Sequence, residues 1–234
     1  MQKKPSQQQV TYVKPEWKIW HGFAILLLAL ALEVVMAPLQ ESARRPGGLL
    51  LLAMVCQFAC FFLIPLFVAS VLQKQPLTVL GIQNKPFVQG LGKGLLWGLV
   101  LYALNMLVTT LLLLLFPEQP QTPQLIIQAM LEEDSVFELF GLVFCVTVLA
   151  PVSEEIFFRA FMMGALEARY GRLIGVVVSS LVFAAVHGSV WAFFPLFAGG
   201  CGFAILYAKY RDISVNIIAH ATWNSIVVFL LFSL

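Results

Sequence analysis

Seven stretches of this chain stay apolar for about 15 to 29 residues each, and no other sequence feature constrains the fold as strongly. They run approximately Trp20–Leu39, Leu49–Leu72, Val88–Phe116, Val136–Gly164, Leu173–His187, Val190–Ala208 and Ile213–Leu234. A helix rises about 1.5 Å per residue, so roughly 20 apolar residues cross a hydrocarbon core of about 30 Å. Only helices and closed barrels satisfy the backbone in lipid, and these runs lack the alternation of barrel strands. The expected fold is therefore all-α: a polytopic transmembrane helical bundle of about seven spans. Composition agrees, with 60% hydrophobic and 11% charged residues against about 25% charged in soluble domains. That excludes a soluble enzyme, a disordered chain and a disulfide-stapled secreted domain. A net charge of +2 gives no reason to expect nucleic acid as a partner; the lipid bilayer is the expected surroundings.

The four cysteines follow neither zinc spacing nor a CxxC redox motif, and they read as small buried hydrophobes. Residues 1–19 form a polar, basic tail, and the apolar run after it reads as an anchor, not a removable signal. Residues 20–234 read as a single transmembrane domain. With the N-terminus inside, the inner segments hold Lys3, Lys4, Lys14, Lys18, Lys74, Lys85, Lys93, Arg169, Arg172, Lys209 and Arg211, and the outer ones only Arg44 and Arg45. The segment 117–135 carries acids and no Lys or Arg. The positive-inside rule then places the N-terminus in the cytoplasm and the C-terminus outside, in an integral protein of a bacterial-type plasma membrane. Gly90, Gly94 and Gly98 recur every fourth residue, spacing that lets another helix approach closely. The Gly199–Gly202 cluster implies a similar approach or a break.

Ionisable groups at membrane depth mark a functional site by default. Glu154, Glu155, Arg159, His187 and His220 gather in the C-terminal half, with Asn224 four residues after His220. Glu33 stands alone, and His21 lies at an interface; both read as snorkelling or locally hydrogen-bonded. Glu155 and Arg159 share a helix face and pair, while Glu154 is turned about 100° away, toward a possible cavity. Pro151 is expected to kink its segment. A carboxylate beside an imidazole deprotonates water, and an imidazole with a carboxamide donates to an oxyanion. Glu154, His187 and His220 are also a possible ligand set for a divalent metal such as zinc. The same spacing equally serves an ion-pair network that only fixes helix packing.

The strings Glu154-Glu155-Ile-Phe-Phe-Arg159, Phe183-Ala-Ala-Val-His187 and His220-Ala-Thr-Trp-Asn224 occur in that order in three segments. They closely resemble the EExxxR, FxxxH and HxxxN/D motifs of the CPBP family of intramembrane proteases (CAAX prenyl protease and bacteriocin-processing, also called ABI). The resemblance covers about residues 136–230. It implies that Glu154 activates water, His187 positions it and moves its proton, and His220 and Asn224 stabilise the oxyanion. Glu155 and Arg159 would support the helix. It leaves open a metalloprotease or a metal-independent glutamate mechanism. The implied substrate is a membrane-associated protein or peptide, either a prenylated tail or a bacteriocin or regulator. No HExxH, GxGD or GxSG motif is present, and Ser189 after Gly188 has the wrong context for a serine nucleophile. The alternatives are a non-catalytic scaffold or bacteriocin self-immunity protein, and a transporter, whose symmetric halves are not seen here.

Overall fold

Each of the seven apolar runs is helical in the computed structural model, which describes residues 14–42, 47–118 and 125–233. The helices are α1 (Ile19–Ser42), α2 (Gly47–Leu72), α3 (Leu91–Leu115), α4 (Leu125–Glu132), α5 (Val136–Tyr170), α6 (Arg172–Ala185), α7 (Val190–Tyr210) and α8 (Ile213–Leu231). Six of them, α1, α2, α3, α5, α7 and α8, are long and apolar enough to cross a membrane. No strand occurs among the described residues. The molecule is a polytopic helical bundle.

The run expected as a fifth span is shorter. α6 has 14 residues, about 21 Å of rise. His187 and Gly188 lie in a turn instead, and the left-handed backbone of Gly188 (φ +65°) leads the chain into α7. Ser189 caps α7 by accepting the Ala192 N–H at 3.2 Å, which gives this serine a structural task.

One end of the bundle gathers the basic segments. Gln75 bonds Glu16 N–H and Lys14 C=O, Lys85 pairs with Asp212, and Gln83 bonds the Arg211 carbonyl. Glu167 at the foot of α5 pairs with both Arg211 and Arg172. Lys3, Lys4, Arg44 and Arg45 lie outside the described residues. His21 makes the local bond expected of it, to the Lys18 backbone.

The glycines do what their spacing implies. A Cβ on Gly94 would stand 2.5 Å from the Ile218 side chain, and one on Gly98 would stand 2.6 Å from Thr222 Cβ and 2.7 Å from the Ala219 carbonyl. α3 therefore lies directly on α8. The Gly199–Gly202 cluster does not break α7. A Cβ there would meet Trp223 of α8 from Gly199, Ser180 and Phe183 of α6 from Gly200, and Leu101 of α3 from Gly202. Small residues let α7 sit at the centre of three neighbours.

α5 passes its proline by changing register. A π-helical segment, Cys145–Leu149, ends two residues before Pro151; in α2 the π segment Ala59–Leu63 stands in the same relation to Pro65. A proline ring collides with the carbonyl four residues back, and an extra residue in the turn relieves that collision. The consequence is local and specific. Ala150 N–H bonds the Cys145 carbonyl, so in the same register the Val146 carbonyl would need a donor from Pro151, which has none. A second π segment, Glu155–Met162, carries most of the acidic-basic motif.

Candidate active site

His220 is held from two sides by adjacent residues of α5. Its Nδ1 is 2.9 Å from Glu155 Oε1, and its Nε2 is 3.9 Å from Glu154 Oε2. The rotation between neighbouring helical residues, which turns Glu154 away from Glu155, brings the two carboxylates to opposite edges of one ring.

Glu155 has no exposed surface and has three partners. Besides His220, Arg159 Nη1 lies 3.3 Å from Oε1, and Asn216 Nδ2 donates to Oε2 at 3.0 Å. Removing a carboxylate from water costs several kcal/mol, and such complete pairing is what offsets it. Arg159, 1% exposed, faces the rings of Phe183, Phe203 and Phe158 at 4.2, 5.3 and 5.9 Å from their centroids. The aromatic faces stabilise a guanidinium that has little else to bond.

Glu155 as a carboxylate accepts a hydrogen bond from His220 Nδ1–H; in the neutral ring Nε2 then carries a lone pair toward Glu154. His187 is oriented the same way. Its backbone N–H turns to Ala184 in the tight turn ending α6, and its own Nδ1 reaches the Phe183 carbonyl at 2.7 Å. The Phe183 ring touches both imidazoles, with centroids 4.8 Å from His187 and 6.2 Å from His220. Phe203 stacks on His220 at 4.9 Å. Asn224 Nδ2 donates to the Val146 carbonyl at 2.8 Å, supplying the bond that Pro151 withholds.

Glu154, Glu155, Arg159 and His220 thus come together, His187 stands across one phenyl ring, and Asn224 lies one turn along α8. Sequence reasoning passed over Asn216. Its signal was present, since Asn216, His220 and Asn224 are spaced four apart and form one polar stripe on an apolar helix. Asn216 is fully buried and also donates to the Phe203 carbonyl at 2.8 Å. Among the described residues no three His, Cys, Asp or Glu side chains form a group that could hold a metal ion. In this arrangement Glu154, His187 and His220 are not gathered into such a group.

Residues 136–226, from the start of α5 into α8, match the family described as Type II CAAX prenyl endopeptidase Rce1-like. Two curated proteins align with the chain. One, "Putative membrane peptidase YdiL" of Bacillus subtilis (strain 168), is 35% identical over 82 residues, which are 35% of this chain and 34% of that protein. The other, the membrane-embedded CAAX protease MroQ of Staphylococcus aureus (strain USA300), is 32% identical over 146 residues, 56% of each chain. Residues 136–226 thus resemble the CPBP family. The aligned regions span about a third and about half the length of those two relatives. No solved structure matches the chain. The matched segment contains every polar group of the site just described, from Glu154 to Asn224.

Proposed function

We propose that this chain is an intramembrane endopeptidase of the CAAX type. It hydrolyses a peptide bond in a membrane-associated protein or peptide, of the prenylated-tail or the bacteriocin or regulator kind, using water activated by Glu154. One observation carries the reading: Glu154 Oε2 and His220 Nε2 stand 3.9 Å apart in a buried site. With His220 as the neutral Nδ1–H tautomer, both are acceptors. Facing acceptors repel unless a molecule with two donors lies between them. A water there gives one O–H to each and keeps its lone pairs for a carbonyl carbon.

As the water oxygen bonds that carbon, Glu154 takes its proton. The C–N bond then breaks, and the proton reaches the leaving amine directly or through His187. His220 Nε2 accepts in its resting tautomer; it becomes a donor to the oxyanion by taking the water's proton on from Glu154, 3.9 Å away, before that same proton passes to the leaving amine. Glu155 stabilises that imidazolium from behind, as a carboxylate does in a catalytic triad. Asn224 spends one N–H on Val146 and has a second for the oxyanion. No step runs through a metal. The basic end of the bundle is the cytoplasmic face in this reading, with the N-terminus inside.

The scaffold reading is disfavoured by Glu154. A bracing group is closely paired, as Glu155 is by three partners, whereas Glu154 approaches His220 Nε2 only at 3.9 Å. Purified wild-type protein and Glu154→Gln, assayed for peptide cleavage by mass spectrometry, test the proposal. Cleavage should be abolished in Glu154→Gln while thermal stability holds. Near-normal cleavage by the variant would sink the glutamate mechanism.

A further inference from the structure

The basic end of the bundle holds two kinds of cation. Lys85 pairs with Asp212, and Arg172 and Arg211 pair with Glu167. Lys93, near the start of α3, and Lys209, in the last turn of α7, have no carboxylate partner among the described residues. They converge on an aromatic pair instead. Both ammonium groups stand over the Tyr210 ring, 5.0 and 5.1 Å from its centroid, and Lys209 also lies 5.2 Å from the Trp97 ring. Trp97 Nε1 donates to Tyr210 Oη at 3.3 Å, which leaves the phenolic proton for another acceptor. Two ammoniums and a hydroxyl thus face outward with no anion to meet them.

The surroundings say which anion fits. Leu96 and Val100 follow Lys93 by three and seven residues on α3, and Ile205 precedes Lys209 by four on α7; all three are exposed. An apolar stripe runs from the cations along the lipid-facing side of both helices. A free anion would use only the cations, whereas an amphiphile uses both. We infer that the seam between α3 and α7 binds an anionic phospholipid, its phosphate at Lys93 and Lys209 and an acyl chain along Leu96, Val100 and Ile205. Trp97 and Tyr210 are the residue types that sit at headgroup level. Each lysine near an anionic lipid surface strengthens binding roughly fivefold.

The test uses the full chain reconstituted with phosphatidylcholine and phosphatidylglycerol, with retained lipids counted by native mass spectrometry. Wild-type protein should keep phosphatidylglycerol preferentially, and K93Q/K209Q should lose that preference by about tenfold or more. The single variants should each lose part of it, and K93R/K209R should keep it. Equal retention by wild type and K93Q/K209Q overturns the assignment. So does an equal loss in K14Q/K18Q, which alters the same end of the bundle and would point to diffuse surface charge. Displacement of the lipid by millimolar inorganic phosphate also overturns it, because the seam would then be a site for the free anion.

Discussion

Asn216 allows the sharpest test of how the site is held. Replacing it with Ala removes donors from two buried acceptors, Glu155 Oε2 at 3.0 Å and the Phe203 carbonyl at 2.8 Å. The position has no exposed surface, so bulk water does not stand in. A buried acceptor left unpaired costs about 1–3 kcal/mol, and more when it is charged. The total is on the order of 2–4 kcal/mol, divided between stability and the aim of Glu155 at His220. A loss of aim equivalent to one or two powers of ten lowers kcat by roughly 10–100-fold. KM should change little, because Asn216 lies behind Glu155 and away from the reacting atoms. Asn216→Asp separates the possible causes. Aspartate is nearly isosteric, so a packing role predicts a milder effect than Ala. A donor role predicts a worse one, since a carboxylate oxygen would face Glu155 Oε2 across about 3 Å with like charge. Steady-state cleavage of a fluorogenic peptide, with thermal unfolding of the same preparations, reads both quantities. An Asp variant that cleaves faster than the Ala variant would refute the donor reasoning, and wild-type kcat in Asn216→Ala would reduce Asn216 to a structural residue.

Gly98→Leu should expel α8 and leave little folded, active protein, whereas Gly92→Leu should be tolerated, because a Cβ at Gly92 meets nothing within 4 Å; yield and size-exclusion profiles compare them. Pro151→Ala should preserve Tm yet lower kcat, because the new N–H claims the Val146 carbonyl and releases Asn224; unchanged kcat would show that this anchor does not matter. Chelation by 1,10-phenanthroline followed by elemental analysis should leave activity intact in zinc-free protein, and activity lost on zinc removal and restored on its return would overturn the metal-independent mechanism. Reporter fusions in segment 117–135 and at the C-terminus should both read as external, and a cytoplasmic signal in that segment would reverse the topology.

The helices, the glycine contacts and the Glu155–Arg159 pair were legible because each follows from a fixed period. Run length specifies a membrane helix, four-residue spacing puts Gly94 and Gly98 on one face, and the same spacing pairs a carboxylate with a guanidinium. The shortness of α6 was hidden because apolar residues continue to Val186, and only the backbone of His187 and Gly188 reveals the turn. The π segments were illegible for a related reason: one residue inserted into a turn leaves an all-apolar pattern unchanged. Pro151 signals a disturbance but does not say whether the helix kinks or shifts register. Asn216 escaped although it shares a four-residue stripe with His220 and Asn224, because its partners, Glu155 and Phe203, lie on two other helices.

Residues before Val136 carry none of the three motifs, yet they set the geometry of those that do. Trp17 stacks on Phe161 at 4.7 Å and donates Nε1–H to the Phe161 carbonyl at 2.9 Å, inside the π segment that contains Glu155 and Arg159. Phe61 of α2 stacks on Phe157 of the same segment at 4.3 Å with planes 3° apart. From the opposite direction, Gly94 and Gly98 of α3 bring a helix backbone against the face of α8 that carries Val215, Ile218, Ala219 and Thr222. Within a bilayer, burying apolar surface against more apolar surface gives little drive to associate, because lipid tails are equally apolar. Close backbone contact, ring stacking and hydrogen bonds to carbonyls are the forces left to position helices. The N-terminal half contributes all three, one set against α5 and the other against α8. Those are the helices whose separation fixes the 3.9 Å gap between Glu154 and His220. On the proposed mechanism a lengthened gap would no longer let one water donate to both groups, so the half of the chain without the three motifs would control whether Glu154 and His220 can hold the attacking water.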